Sequence, residues 1–467
     1  MGVPRGARFA LAAALGANLV TLVVNLFSIL VLPAFVSIPA FANWQLYLVL
    51  VSLTGLAHLG LLDGLYLILG GQRLDQEDHG ALAAQFWLMA AVETVAFGCV
   101  AAFVAVGVPD GQRAFVLVTA AANLVVANAW TYLQFVLQAT GEVVDYAWNL
   151  IGQKLLFLVA AAALLALGHR DAEWIIGADL VTKVAAVIGL VMLHPTLAGR
   201  TAESLPATWR AALGFVAVGL PLLVANASSI LVLAIYRLAI ENRWGLETFG
   251  KVSLVISAAN MVISLIAAVG VVLFPMLRRV DVARARELYG HLRSLLMGLS
   301  LASLLLYQPA VAVLRTWLPA YAASLGYLVW LMPMCVFELK MTVLVATYLK
   351  AFRKERGLLV ANLAAIAITV PVVAATVYGL GDLTACIASI LVVLCLRVLF
   401  AEWILSRHLD VQILTDQLIE AALVAAFVAS TLLLPGWAAA LCYAPLLAGY
   451  LYAKRSSIGA ALAVVRG

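Results

Sequence analysis

The chain has 467 residues, 65% hydrophobic and 11% charged, with a mean hydropathy of +1.09 and a formal net charge of +5. Soluble domains carry about a quarter charged residues, so this composition excludes a soluble globular protein and describes a polytopic membrane protein. Cys99, Cys335, Cys386, Cys395 and Cys442 all lie in apolar segments without metal-ligand spacing, so they are expected to be packing residues rather than a disulfide framework or a zinc site.

A span needs about 20 mostly apolar residues. That rule places fourteen segments, at 9–36, 45–70, 81–107, 115–138, 148–168, 174–193, 212–238, 252–277, 294–317, 326–349, 358–378, 383–405, 417–434 and 437–453. The start, MGVPRGARFALAAALGANLV, is basic and then alanine-rich like a signal peptide, but the apolar run continues to Val36 and reads as a retained first span.

The second span, within WQLYLVLVSLTGLAHLGLLDGLYLILGGQ, carries His58, Gly60, Asp63 and Gly64. Gly60 and Gly64 form a G-x-x-x-G pair that admits a neighbouring backbone. On a continuous helix His58 and Asp63 stand about 140° apart, a poor dyad. His58 is expected to be packed and hydrogen-bonded, and Asp63 either to sit at the inner mouth of a cavity or to pair across the bundle. Glu93, near the middle of the third span, has no basic residue within a turn; it either pairs with a cation on another helix or titrates. Asn123, Asn128, Gln134 and Gln138 in the fourth span, with Asn226 and Asn260 later, suit interhelical hydrogen bonds.

Counting lysine and arginine between spans gives 18 on the side of the N-terminus and four, Arg113, Arg170, Arg243 and Lys251, on the other, which predicts both termini in the cytoplasm. Six more lie inside spans: Lys154, Lys183, Arg237, Arg315, Lys340 and Arg397. At about 2.5–3.5 kcal/mol each in mid-bilayer, they must snorkel, pair or face water. Asp179 and Lys183 share a helical face four residues apart, which suits an ion pair. Arg315 is expected to snorkel. Lys154 is two turns from the inner end of its span and stays open. Lys340 and Arg397 lie mid-span; their nearest acids, Glu338 and Glu402, point to other faces of the same helix, so these two cations are expected in a wet interior. Such an interior suits an anion, phosphate or diphosphate above all.

No connection exceeds about 18 residues, and no metalloprotease, nucleophile-elbow or phosphate-loop motif is present, which argues against an enzyme or an ATP-driven pump. The loop LRRVDVARARELYGHLRS, Leu277–Ser294, follows the positive-inside rule or forms an interfacial helix on anionic lipid. The string SILVL recurs at Ser28–Leu32 and Ser229–Leu233, near the ends of the first and seventh spans, suggesting two duplicated halves.

Two stretches, about a fifth of the chain, resemble a known family. FANWQLYLVLVSLTGLAHLGLLDGLYLILGGQ is similar to the second-span signature of the bacterial polysaccharide-biosynthesis flippases of the multidrug/oligosaccharidyl-lipid/polysaccharide superfamily. GLPLLVANASSILVLAIYRLAIENRWGLETFGKVSLVISAANMVISLIAAVGVVLFPMLRR resembles that family's midpoint through Pro221, Arg237, Phe249-Gly250, Phe274-Pro275 and Arg278-Arg279. Ala42 replaces the usual glycine, and Tyr236 the acid that ordinarily precedes the arginine.

The resemblance implies an all-α polytopic membrane protein of about 14 transmembrane helices, in two pseudo-symmetric six-helix bundles around a central cavity plus two C-terminal helices. It divides the chain at 1–200, 201–410 and 411–467. The implied activity is alternating-access translocation of a polyprenyl-diphosphate-linked oligosaccharide from the cytoplasmic to the outer leaflet, for surface polysaccharide assembly. A cation-coupled exporter of the same superfamily, or a membrane-embedded enzyme of polysaccharide assembly, are the alternatives. Arg237, Lys340 and Arg397, followed by Lys154 and Lys183, are the expected substrate-binding cations, with Asp63 and Glu93 as cavity or gating acids. No catalytic residue, metal or cofactor is expected. The expected partners are the lipid-linked oligosaccharide, membrane lipids and a polymerase or glycosyltransferases of the pathway, with no nucleic acid, in the cytoplasmic membrane.

Overall fold

Apolar runs of this length have one economical solution in lipid, which is to satisfy every backbone polar group within a helix. In the computed structural model, which describes residues 5–267, 282–352 and 354–466, every regular element described is helical. Among the described residues twelve helices are long and apolar enough to cross a membrane, thirteen if Pro319–Leu331 and Met334–Ala351, bent by 48°, are one span. Trp437–Ala453, 17 residues, is shorter. Val106, Met192 and Leu433 are at least 78% exposed, which suits lipid and would suit water badly. Asp78, Asp110 and Asp382 cap the helices that follow them by accepting two backbone N–H bonds each.

The described residues form two compact units, Met1–Ile230 and Leu231–Gly467. In the first, Arg5–Leu26 continues through a π turn into Leu32–Phe35 and is followed by the second span. His79–Gly107, Gly111–Ala139, Val143–Ala166 and Ala172–Leu193 then follow as single helices. Leu62, Leu65, Tyr132, Leu133 and Val136 form the centre of its core.

The second span is not the continuous helix expected from hydropathy. Ile38–Ser52 ends, a 3-10 turn at Thr54–Leu56 follows, and a new helix runs from Leu61 to Leu69. Leu59 and Gly60 both have positive φ, +50° and +89°. The break corrects the angular argument about His58 and Asp63. His58 Nδ1 accepts the N–H of Gly60 at 3.2 Å, and Asp63 lies in the first turn of the new helix, where the helix dipole favours a carboxylate.

The glycine pair does what its spacing predicts. A Cβ on Gly64 would lie 1.9 Å from the Phe215 carbonyl oxygen, and one on Gly219 would lie 2.0 Å from that of Gly60. Two backbones therefore touch where any side chain would hold them apart.

The helical run Leu205–Ala267, which passes from the first unit into the second, contains one non-helical residue, Gly245, at φ 85° and ψ 171°. Arg237 nevertheless hydrogen-bonds Ser253, 16 residues away, which no straight helix allows, so the chain folds back at Gly245. Within the second unit, the segments on either side of Gly245 thus form a tight hairpin. The two SILVL copies differ locally: the first lies mainly in the π turn Phe27–Val31 with Ile29 buried, the second in regular helix with Ile230 exposed. Cys335 and Cys386 are buried as packing residues should be, whereas Cys99 and Cys442 are exposed, contrary to expectation. The expected basic loop is helical from Val282 onward, through Ser303. Phe274-Pro275 and Arg278-Arg279, which carry part of the family resemblance, lie outside the described residues, as does the side chain of Asn226.

Candidate functional site

The densest polar chemistry is in the second unit. Val282–Ser303, Met334–Ala351, Leu383–Leu409 and Leu414–Leu433 each contribute a buried charged side chain: Arg293, Lys340, Glu402 and Glu420. Arg293 donates Nε to Glu402 at 2.7 Å and approaches Glu420 at 2.7 Å and Asp416 at 3.1 Å. Lys340 Nζ contacts Glu402 and lies 2.9 Å from Glu420. Tyr289 O–H and Gln417 Nε2 donate to the two oxygens of Glu402 at 2.6 and 2.8 Å, and Lys454 pairs with Asp416 at 2.7 Å. Three cations (Arg293, Lys340, Lys454) meet three carboxylates (Glu402, Glu420, Asp416), so the cluster has no net charge to offer an anion.

Beside it, Arg397 donates to Glu338 at 2.8 Å and to Asn362 at 2.9 Å. The two cations have exchanged acids. Glu338, two residues before Lys340, serves Arg397; Glu402, five residues after Arg397, serves Lys340. Same-helix geometry forbids each local pair, as the angles required, and packing Met334–Ala351 beside Leu383–Leu409 supplies the crossed ones. This corrects the expectation of a wet interior: Lys340 and Arg397 are 2% and 4% exposed, each held by carboxylates on neighbouring helices.

In the first unit the Asp179–Lys183 pair forms at 2.7 Å, as its spacing suggests. Tyr47 donates to the same Asp179 oxygen at 2.7 Å, and Lys183 also donates to Asn123 at 3.1 Å. Trp44 stacks between Tyr47 and Phe157 beside this cluster. Lys154, half-buried on Val143–Ala166, is near enough to interact with both Asp179 and Lys183 and makes no hydrogen bond among the described residues. Asn149 ties three helices together, accepting from Trp130 and Gln134 at 2.7 and 2.9 Å and donating to Ala186 at 3.0 Å. Asn123, Asn128 and Gln134 thus all bond between helices.

Glu93 pairs with no cation among the described residues; Asn128 donates to it at 2.6 Å. Arg237, in the seventh-span hairpin, donates to Ser253 at 3.1 Å and lies 5.6 Å from the centre of the Phe249 ring. Tyr236, which stands where the family has an acid, is buried and shares a hydrogen bond of 2.9 Å with Ser389. Arg315 is exposed at the last turn of Tyr307–Trp317, where its stem can reach an interface.

Sequence reasoning missed Arg293, Asp416 and Glu420. Arg293 falls in the basic stretch Leu277–Ser294 that hydropathy places between spans, although Tyr289, Arg293, Met297 and Ser300 recur at helical spacing on one face, and all four are buried. Glu420 carried the same signal as Glu93: an acid inside an apolar helix with no basic residue one turn away.

No protein-family model and no curated protein sequence matches the chain. Among solved structures, the lipid II flippase MurJ in an inward closed conformation matches over 96% of this chain and 99% of that one, at TM-score 0.62 and 9% identity. A superfamily transporter from Pyrococcus furiosus, noted for the reversed polarity of its binding pocket, matches over 86% and 94%, at TM-score 0.45 and 11% identity. The all-helical fold of this chain is therefore similar to that of the MurJ flippase.

Proposed function

We propose that the protein is a flippase that moves a polyprenyl-diphosphate-linked oligosaccharide from the cytoplasmic to the outer leaflet by alternating access, for surface polysaccharide assembly. The observation that carries this reading is the match to a lipid II flippase along nearly the whole of both chains. The protein would lie in the cytoplasmic membrane with both termini inside, on the lysine and arginine distribution. The buried charges refine the roles. Lys340, Arg397 and Lys183 are engaged by carboxylates and frame their own units. Arg237 and Lys154 are the cations we assign to the diphosphate, since both are only half-buried.

In a deletion strain the lipid-linked repeat unit should accumulate on the inner leaflet and surface polymer should disappear; polymer at parental levels overturns the reading. In vesicles reconstituted with the purified chain, Arg237→Ala and Lys154→Ala should each slow flipping of a fluorescent lipid-diphosphate oligosaccharide about tenfold, the scale of one lost charge-assisted contact, with unchanged protein yield. A second reading, lipid II itself as cargo, is favoured by the same structural match. Flipping of lipid II but not of the oligosaccharide lipid in that assay would select it.

A further inference from the structure

Glu93 stands near the middle of His79–Gly107 and is 2% exposed. Asn128 Nδ2 donates to its Oε1 at 2.6 Å, while Oε2 is buried without a hydrogen-bond partner among the described residues. The same Asn128 nitrogen donates to the backbone oxygen of Thr54 at 3.1 Å. Thr54 opens the 3-10 turn inside the broken second span, and its oxygen also accepts the N–H of Ala57 at 3.0 Å. A single amide therefore ties the carboxyl of the third span to the unwound stretch of the second. That stretch is strained, with Leu59 in the left-handed region at φ +50° and its side chain 59% exposed.

The titratable side chains on the elements around Glu93 are accounted for elsewhere. Tyr132 donates to Leu82, and His194 bonds Asp145. His58 accepts from Gly60, Arg113 lies at the opposite end of the fourth span from Tyr132, and Asp63 and Tyr66 belong to the helix beyond the break. None of them forms an ion pair or a hydrogen bond with Glu93 among the described residues.

We propose that Glu93 is a proton-binding site whose occupancy sets the conformation of the break in the second span. With the proton on Oε2 the group is a neutral acid, Asn128 satisfies Oε1, and the unwound turn stays tied to the third span. When the Oε2–H bond breaks, its electron pair stays on the carboxylate and the proton leaves on water. The carboxylate then has one donor where an ion at this depth needs several. Water must enter at the break, or the break must move to present further N–H groups. Either response displaces the strained turn, so protonation and backbone conformation are linked. This inference concerns the first unit alone and does not depend on the nature of the cargo.

The test is a spin label at Leu59→Cys in the full chain, its five native cysteines replaced, reconstituted in vesicles and followed across a pH titration. Label mobility should change in a single transition, Glu93→Gln should hold the low-pH spectrum at every pH, and Glu93→Asp should titrate with a shifted midpoint. A parent protein without a pH response, or the same titration in Glu93→Gln, overturns the proposal. If Glu93→Gln does not fold, an unshifted midpoint in Glu93→Asp overturns it equally. Sodium that reproduces the transition at constant pH would show that the site takes a metal cation instead of a proton, and would also overturn it.

Discussion

The two units solve the same problem, holding polar groups inside apolar helices, by different means. In the second unit four helices are clamped by charges in contact: Arg293 and Lys340 against Glu402 and Glu420, with Arg397 and Glu338 alongside. In the first, beside the Asp179–Lys183 pair, backbone meets backbone at Gly60, Gly64 and Gly219, amides join helices, and one span is unwound. Charge clamps are costly to break, because each separated ion is left desolvated. Amide ties and close glycine contacts are individually weaker, and a carboxyl such as Glu93 can change state among them. The comparison teaches that a buried charge must be read with its partners: equally deep residues are a fixed frame in one unit and a titratable group in the other.

Four experiments test that contrast. Glu402→Ala should have the largest effect, since it leaves Arg293, Lys340, Tyr289 and Gln417 without their shared acceptor. A loss of about 3–5 kcal/mol is expected, read as thermal unfolding of the purified chain in detergent. If Glu402→Ala unfolds like the parent, the clamp is not what holds the second unit. Gly64→Ala should cost ~1–3 kcal/mol, towards the upper end because the obstacle 1.9 Å from its new Cβ is backbone. Unchanged stability there would mean that the two helices separate freely.

The crossed pair is open to a double-mutant cycle. Arg397→Gln and Glu338→Gln should each destabilise, and the double variant should recover a coupling of about 0.5–3 kcal/mol. Strict additivity would show the two side chains to be independent. Asn128→Ala should be the mildest of the four, near ~0.6 kcal/mol, the usual worth of an interhelical hydrogen bond in a membrane protein. It should also raise amide exchange at residues 53–60; if exchange is unaltered, the tie to Thr54 is not what restrains the break.

Much of this architecture was legible beforehand. Span positions followed from hydropathy, the Asp179–Lys183 pair from its four-residue spacing, and the glycine contact from G-x-x-x-G, because each is a local property of one helix. The exchange of acids between Lys340 and Arg397 was not legible: angles within a helix show which pairs fail, and only the neighbouring helix supplies the ones that form. Arg293 was hidden for a related reason, since a basic segment near a membrane surface reads as a loop until its helix is seen to continue inward. The break in the second span left little hydropathy signal, because Leu53–Gly60 keeps three leucines and an alanine among its eight residues and so still reads as part of an apolar run.

Composition and periodicity settled what each segment is: an apolar helix of about membrane length, with its odd polar residue at a known angle and depth. That information is local, since it depends on residues within a few turns of one another. Which charges neutralise which, and where a helix gives up its own hydrogen bonds, depended on residues from 35 to 127 positions apart, such as Glu93 with Asn128 and Arg293 with Glu420. Desolvation makes those long-range pairings decisive, because an ion inside a bilayer is tolerable only beside the partner that packing brings to it.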